Sequence, residues 1–108
     1  MNYKLDTGVL RGCIDSYGKD SQVSVAIEEM SELTKALIKD RRNKCEHADV
    51  KANFRSAISE EMADVIIMLK QLEMIFGNKD EVQQYVDNKI SRQRVRLNRL
   101  RNSEKSEK

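Results

Sequence analysis

Residues 28–33 read EEMSEL and residues 60–65 read EEMADV, and the phase of these two stretches decides how the chain is read. Each has two acids, a methionine, a small residue, a third acid and an aliphatic residue. Each also lies inside an apolar segment. A helix turns about 100° per residue, so the direction of every side chain can be counted from Glu29. Gln22, Val25, Leu33 and Ala36 fall within about 40° of Glu29, and Glu32 lies about 60° to one side. Glu28 sits on the flank of this stripe, and Lys35 and Lys39 lie beyond it toward solvent. Counting from Glu61, the residues Phe54, Ala57, Val65, Met68, Leu72 and Ile75 cluster within about 40°, with Asp64 about 60° away. Glu60 takes the flank position there. Each helix therefore carries two carboxylates, i and i+3, on the face that should pack.

A short connector joins the two helices, so they are expected to pack antiparallel and bring Glu29, Glu32, Glu61 and Asp64 together. Desolvating unpaired carboxylates costs several kcal/mol for each ion, unless they are protonated or neutralised. A divalent cation neutralises such a cluster at least expense. An all-oxygen donor set suits Mg²⁺, Mn²⁺ or Ca²⁺, whereas Zn²⁺ prefers nitrogen and sulfur. A di-iron bundle is excluded because it needs Glu-x-x-His motifs, and the single histidine, His47, lies in the connector. Cys45 and His47 form no second ligand pair and read as loop composition.

The rest of the chain frames these two segments. With 108 residues, one domain is expected. Charged residues make up 35%, yet 20 basic residues against 18 acidic leave a net charge of only +2, so no global field draws the chain to nucleic acid or membrane. Proline is absent and glycine occurs four times, which favours helix throughout. Two cysteines make no disulfide framework and fit reduced thiols in a cytoplasmic protein. No signal peptide or membrane span is evident.

Four helices are expected. The first spans about residues 2–17 and ends at Gly18. The second spans 21–42, capped by Asp20 or Ser21. The third spans 51–76 and ends at Gly77-Asn78. The fourth spans 80–101. The domain is thus residues 1–101, and the polar tail 102–108 is expected to be disordered. In the fourth helix Val82, Val86, Ile90, Leu97 and Leu100 form an apolar side that also carries Lys89, Gln93 and Arg96. The third helix is apolar beyond its acid face, through Met62, Ala63, Ile66, Ile67 and Met74. A helix apolar on several sides is buried on several sides, so an obligate oligomer is expected.

E-E-x-x-E at Glu28 to Glu32, followed by E-x-x-D at Glu61 to Asp64, resembles the signature of the MazG-like all-α nucleoside triphosphate pyrophosphohydrolases. The approach YGKDSQVSVAIEEMSEL (17–33) is similar to that family's lead-in, and DNKISRQRVRL (87–97) to its basic fourth helix. The resemblance covers residues 17–97. It implies a four-helix bundle and a Mg²⁺-dependent enzyme (Mn²⁺ as substitute) that splits a nucleoside triphosphate into the monophosphate and pyrophosphate. It also implies homodimers or homotetramers. Carried over, it makes Glu29, Glu32, Glu61 and Asp64 the metal ligands, the same four that helical phase selects. Lys89 and Arg92 become phosphate contacts, Gln22 a nucleotide contact, and Glu28 a flank residue that orients the site or positions water. The pattern departs at Asp87, where the family often has asparagine, and in the lack of an aromatic residue beyond Tyr17 near the glutamine.

Two other readings compete. A catalytically silent relative would bind nucleotide in a regulatory role, although all four proposed ligands are present. A basic helical module would use the stripe Arg92, Arg96 and Arg99 on nucleic-acid phosphates, but it leaves the buried acids without a purpose.

Overall fold

The computed structural model describes residues 2–106, which fold into four α-helices; no strand occurs among the described residues. The helices are α1 (Thr7–Tyr17), α2 (Lys19–Arg42), α3 (Ala48–Phe76) and α4 (Lys79–Ser106). They divide into two compact units, residues 1–77 with α1 to α3 and residues 78–108 with α4.

In the first unit α2 and α3 form the main seam, and α1 packs against both. The connector at 43–47 is pinned by Asn43, whose Oδ1 accepts from the Cys45 N–H at 3.1 Å while its Nδ2 donates to the Cys45 carbonyl at 3.2 Å. Farther along the seam, the Arg55 Nε donates to the Asp40 Oδ1 at 3.2 Å, which fixes the antiparallel register. The buried apolar residues among those described are few: Leu10 and Ile14 from α1, Ala26 from α2 and Met68 from α3. Two of the buried residues are amides, Gln22 and Gln71.

The helix ends depart from the sequence reading for identifiable reasons. The first helix begins at Thr7, five residues later than expected, because the Asp6 carboxylate accepts from the Val9 N–H at 3.2 Å and caps it. Neither Asp20 nor Ser21 caps the second helix. The helix starts earlier, at Lys19, directly after Gly18, which has φ 93° and ψ 151°. Gly18 is both the last residue of one helix boundary and the first of the next: its N–H donates to the Ile14 carbonyl at 2.9 Å, and its carbonyl accepts from the Gln22 N–H at 3.1 Å. The third helix starts three residues before the expected position and ends as expected at Gly77, which adopts the left-handed conformation with φ 59° and ψ 37°.

The second unit is one helix. It continues five residues past Arg101, through the segment read as a disordered tail; nothing between 102 and 106 is a helix breaker. Residues 107 and 108 of that tail lie outside the described residues. From 79 to 105 every residue of α4 is exposed, including Val82, Val86, Ile90, Leu97 and Leu100. No helix among the described residues is long and apolar enough to cross a membrane.

The back of α3 is partly lined by the chain's own start. Tyr3 and Leu5, in the extended segment before α1, border a groove of about 410 Å³ with Met62, Ile66 and Ile67.

Candidate metal centre

Three carboxylates converge at the middle of the α2–α3 seam. Glu29 supplies one oxygen from α2, and Glu61 and Asp64 supply one each from successive turns of α3; the three lie within 4.8 Å of one another. All three residues are half-buried. No other cluster of three acidic, histidine or cysteine side chains occurs among the described residues, and Cys45 and His47 form none.

The arrangement follows from the phase of the two helices. Glu29 is three residues past the buried Ala26, so it faces α3. Asp64 is four residues before the buried Met68, so it faces α2. The helical spacing forces both acids toward the partner helix whether or not anything neutralises them.

The electrostatics bear the mark of this placement. The Glu29 carboxyl is raised above its ordinary 4.5, first by burial, then by the charges of Asp64 and Glu61, then by a side-chain hydrogen bond with Asp64. The flank residue Glu28 adds a smaller push in the same direction. Glu61 is raised as well, first by burial, then by Asp64, Glu32 and Glu60. No basic side chain offsets either shift. One oxygen of the cluster, Glu61 Oε2, is buried and has no hydrogen-bond partner among the described residues. A buried acceptor left without a donor is costly, and such groups are rare in folded proteins.

The donor set fits a hard divalent cation. Oxygens on opposite sides of a Mg²⁺ ion stand about 4 Å apart, and about 5 Å apart around Ca²⁺. Oxygens that lie within 4.8 Å of one another can converge on either ion with modest closure. The unpartnered Glu61 Oε2 gives such an ion an oxygen that no other described residue uses.

The structure brings together three of the four expected ligands. Glu32, the fourth, is close enough to raise Glu61 but lies outside the trio. It accepts instead from the Lys35 Nζ at 3.3 Å. Glu28 is exposed beside Glu29. Gln22 is only 7% exposed and sits toward the start of α2. The antiparallel register places it level with Gln71 of α3, whose Oε1 is buried and unpartnered among the described residues. Lys89 and Arg92 are exposed on α4, in the second unit. Asp87, the position that departs from the family pattern, accepts from the Gln83 Nε2 one turn earlier at 3.0 Å.

Sequence reasoning missed two residues at this site. A cleft of about 120 Å³ opens beside the acids, between α2 and α3, and its walls include Lys35 and Lys39 as well as Glu32 and Glu61. On α2 alone the two lysines count as solvent-facing; Phe54 and Ala57, arriving from α3, make them a wall.

The chain matches no protein-family model, no curated protein and no solved structure.

Proposed function

We propose that this protein is a Mg²⁺-dependent nucleoside triphosphate pyrophosphohydrolase, using water to convert the triphosphate to the monophosphate (ribo or deoxy) and pyrophosphate. The observation that carries this reading is the convergence of Glu29, Glu61 and Asp64 from two antiparallel helices, with one buried Glu61 oxygen left unpartnered. The MazG-like pattern of the same acids supplies the reaction class.

In this reading Glu29, Glu61 and Asp64 hold the ion, and Glu32 joins them by giving up Lys35. Mn²⁺ would serve in place of Mg²⁺. The bound ion supplies positive charge for the triphosphate and makes water more acidic. The chain's own residues do the rest. The apolar seam excludes bulk water from one side of the acids. Glu28, exposed on the flank, orients the attacking water or accepts its proton. Lys89 and Arg92 bring cations to the phosphates, and Gln22 presents an amide to the nucleotide.

The apolar back of α3 and the exposed apolar side of α4 are the surfaces through which a homodimer or homotetramer would form. Light scattering at micromolar concentration tests this, and a monomer would refute it.

The decisive experiment measures pyrophosphate release from a panel of nucleoside and deoxynucleoside triphosphates, with and without Mg²⁺, beside Glu61→Gln. Mg²⁺-dependent release that the variant lacks supports the reading. A folded protein that turns over none of the panel refutes it.

A second reading has one observation in its favour. Arg92, Arg96 and Arg99 line one shallow face of α4 with Ser91 and Val95, a stripe able to follow phosphates along a nucleic acid. Binding to duplex or single strand that weakens steeply with salt would favour it.

A further inference from the structure

The 120 Å³ cleft beside the acids shares Glu61 with them, yet its opposite side is cationic. Its size limits what it can take. At about 120 Å³ it is well below the roughly 300 Å³ at which sites for whole nucleoside-sized ligands start. A phosphoryl group fits; a base and sugar do not.

Its charges select the same ligand. Of the two lysines that line the cleft, Lys35 is engaged, donating to Glu32 at 3.3 Å, and nearby Arg55, the residue after the lining Phe54, donates to Asp40 at 3.2 Å. Lys39 lines the cleft, and its side chain has no hydrogen bond or ion pair among the described residues. Lys35 and Lys39 are four residues apart, so both ammonium groups rise from one side of α2. If Glu32 turned toward a cation held by the trio, Lys35 would be released into the same cleft. A wall with one free lysine, a second lysine on a loose and exposed tether, and carboxylates opposite needs a ligand that is strongly anionic and can share a divalent ion with the acids. A terminal phosphoryl group of a polyphosphate meets both conditions.

We infer that the α2–α3 cleft is the seat of the pyrophosphate end of the substrate, with Lys39 its permanent contact and Lys35 a second contact that Glu32 holds in reserve. The inference rests on the reading of the trio as a metal site. It assigns to α2 a phosphate-binding role of its own.

The test titrates inorganic pyrophosphate into the full chain in the presence of Mg²⁺ and follows the heat of binding. The wild type is compared with Lys39→Gln, with Lys35→Gln/Lys39→Gln, and with Lys19→Gln as a control at the other end of α2. Mn²⁺ binding, read by electron paramagnetic resonance, is measured on each. Losing one charge-assisted phosphate contact should weaken pyrophosphate about tenfold in Lys39→Gln and further in the double variant, with Lys19→Gln unchanged. Mn²⁺ affinity should stay equal in the wild type, Lys39→Gln and Lys19→Gln, and should not fall in the double variant, where Glu32 loses the lysine that competes with the ion. Equal pyrophosphate affinity in the wild type and the double variant would overturn the inference and leave the metal site standing. Mn²⁺ binding without any pyrophosphate binding to the wild type would also overturn it. Absence of Mn²⁺ binding in the wild type would remove the metal site, and the inference with it.

Discussion

The α2–α3 seam carries charge at two levels, and it treats them differently. Near the connector, Asp40 faces Arg55 at 3.2 Å, with the arginine side chain 74% exposed and the aspartate 22%. Midway along, Glu29, Glu61 and Asp64 face one another, half-buried, with no basic side chain to offset their charge. The first level is complete as folded. The second gathers like charges that no side chain of opposite sign offsets, and that difference marks it as the candidate site.

The largest effect that could break this contrast is chemical. Glu61→Gln removes the charge of the acid with the buried, unpartnered oxygen at little change in shape, and pyrophosphate release should fall at least about a hundredfold, as when a charge-stabilising group is lost from a site. Full activity in this variant would mean that the acids are not the centre of the chemistry.

Next is the effect of metal on stability. A cation at a hundred times its dissociation constant stabilises the folded state by about 2.7 kcal/mol, or about 10 °C in midpoint for a chain of this size. Thermal unfolding with Mg²⁺ and then with a chelator should show that difference. Glu61→Gln should show little of it, and its metal-free form should melt above the metal-free parent, because it has one charge fewer in the cluster.

A smaller effect follows from pH. Glu29 and Glu61 both hold protons more tightly in the folded chain than at their ordinary value of 4.5. Between that value and the raised ones the folded state binds more protons than the unfolded state, so the stability of the metal-free protein falls as pH rises through this window. Below the window the contribution of these two groups is fully present. Midpoints measured across it without metal should decline with pH, and Glu61→Gln should flatten the decline. A midpoint that rises through the same window would contradict the placement of these acids.

The least effect is expected at the paired level. An exposed ion pair contributes about 0–1 kcal/mol, so Arg55→Ala should lower the midpoint by only a few degrees, and less at high salt. A loss comparable to that caused by chelation would erase the distinction between the two levels.

The acids were legible in the sequence because helical phase is a property of one helix at a time. Two acids centred on an apolar stripe stay there whatever the partner does. Lys35 and Lys39 were not legible, because the cleft they line exists only where Phe54 and Ala57 of another helix close its far side. The pairing of Glu32 with Lys35, three residues apart, could have been read as a helix-surface pair, and it explains why that acid stands outside the trio. The start of α1 was also present in the sequence. The apolar spacing of Leu5 suggested an earlier helix, but Asp6 three residues before Val9 is a cap, and the cap decided. The start of α2 was harder to read, since Gly18 begins it through backbone geometry with no side chain to read.

The two glycines at helix boundaries also differ in how far their positions could vary. Gly77 has φ 59° and ψ 37°, a conformation that asparagine or aspartate enters at small expense. Gly18, with φ 93° and ψ 151°, lies where only glycine is at ease, even though no atom would obstruct an added side chain. In a library of random replacements, position 77 should tolerate asparagine while position 18 returns glycine alone. The single residue joining α1 to α2 would then be among the least replaceable letters in the chain, although it touches none of the chemistry.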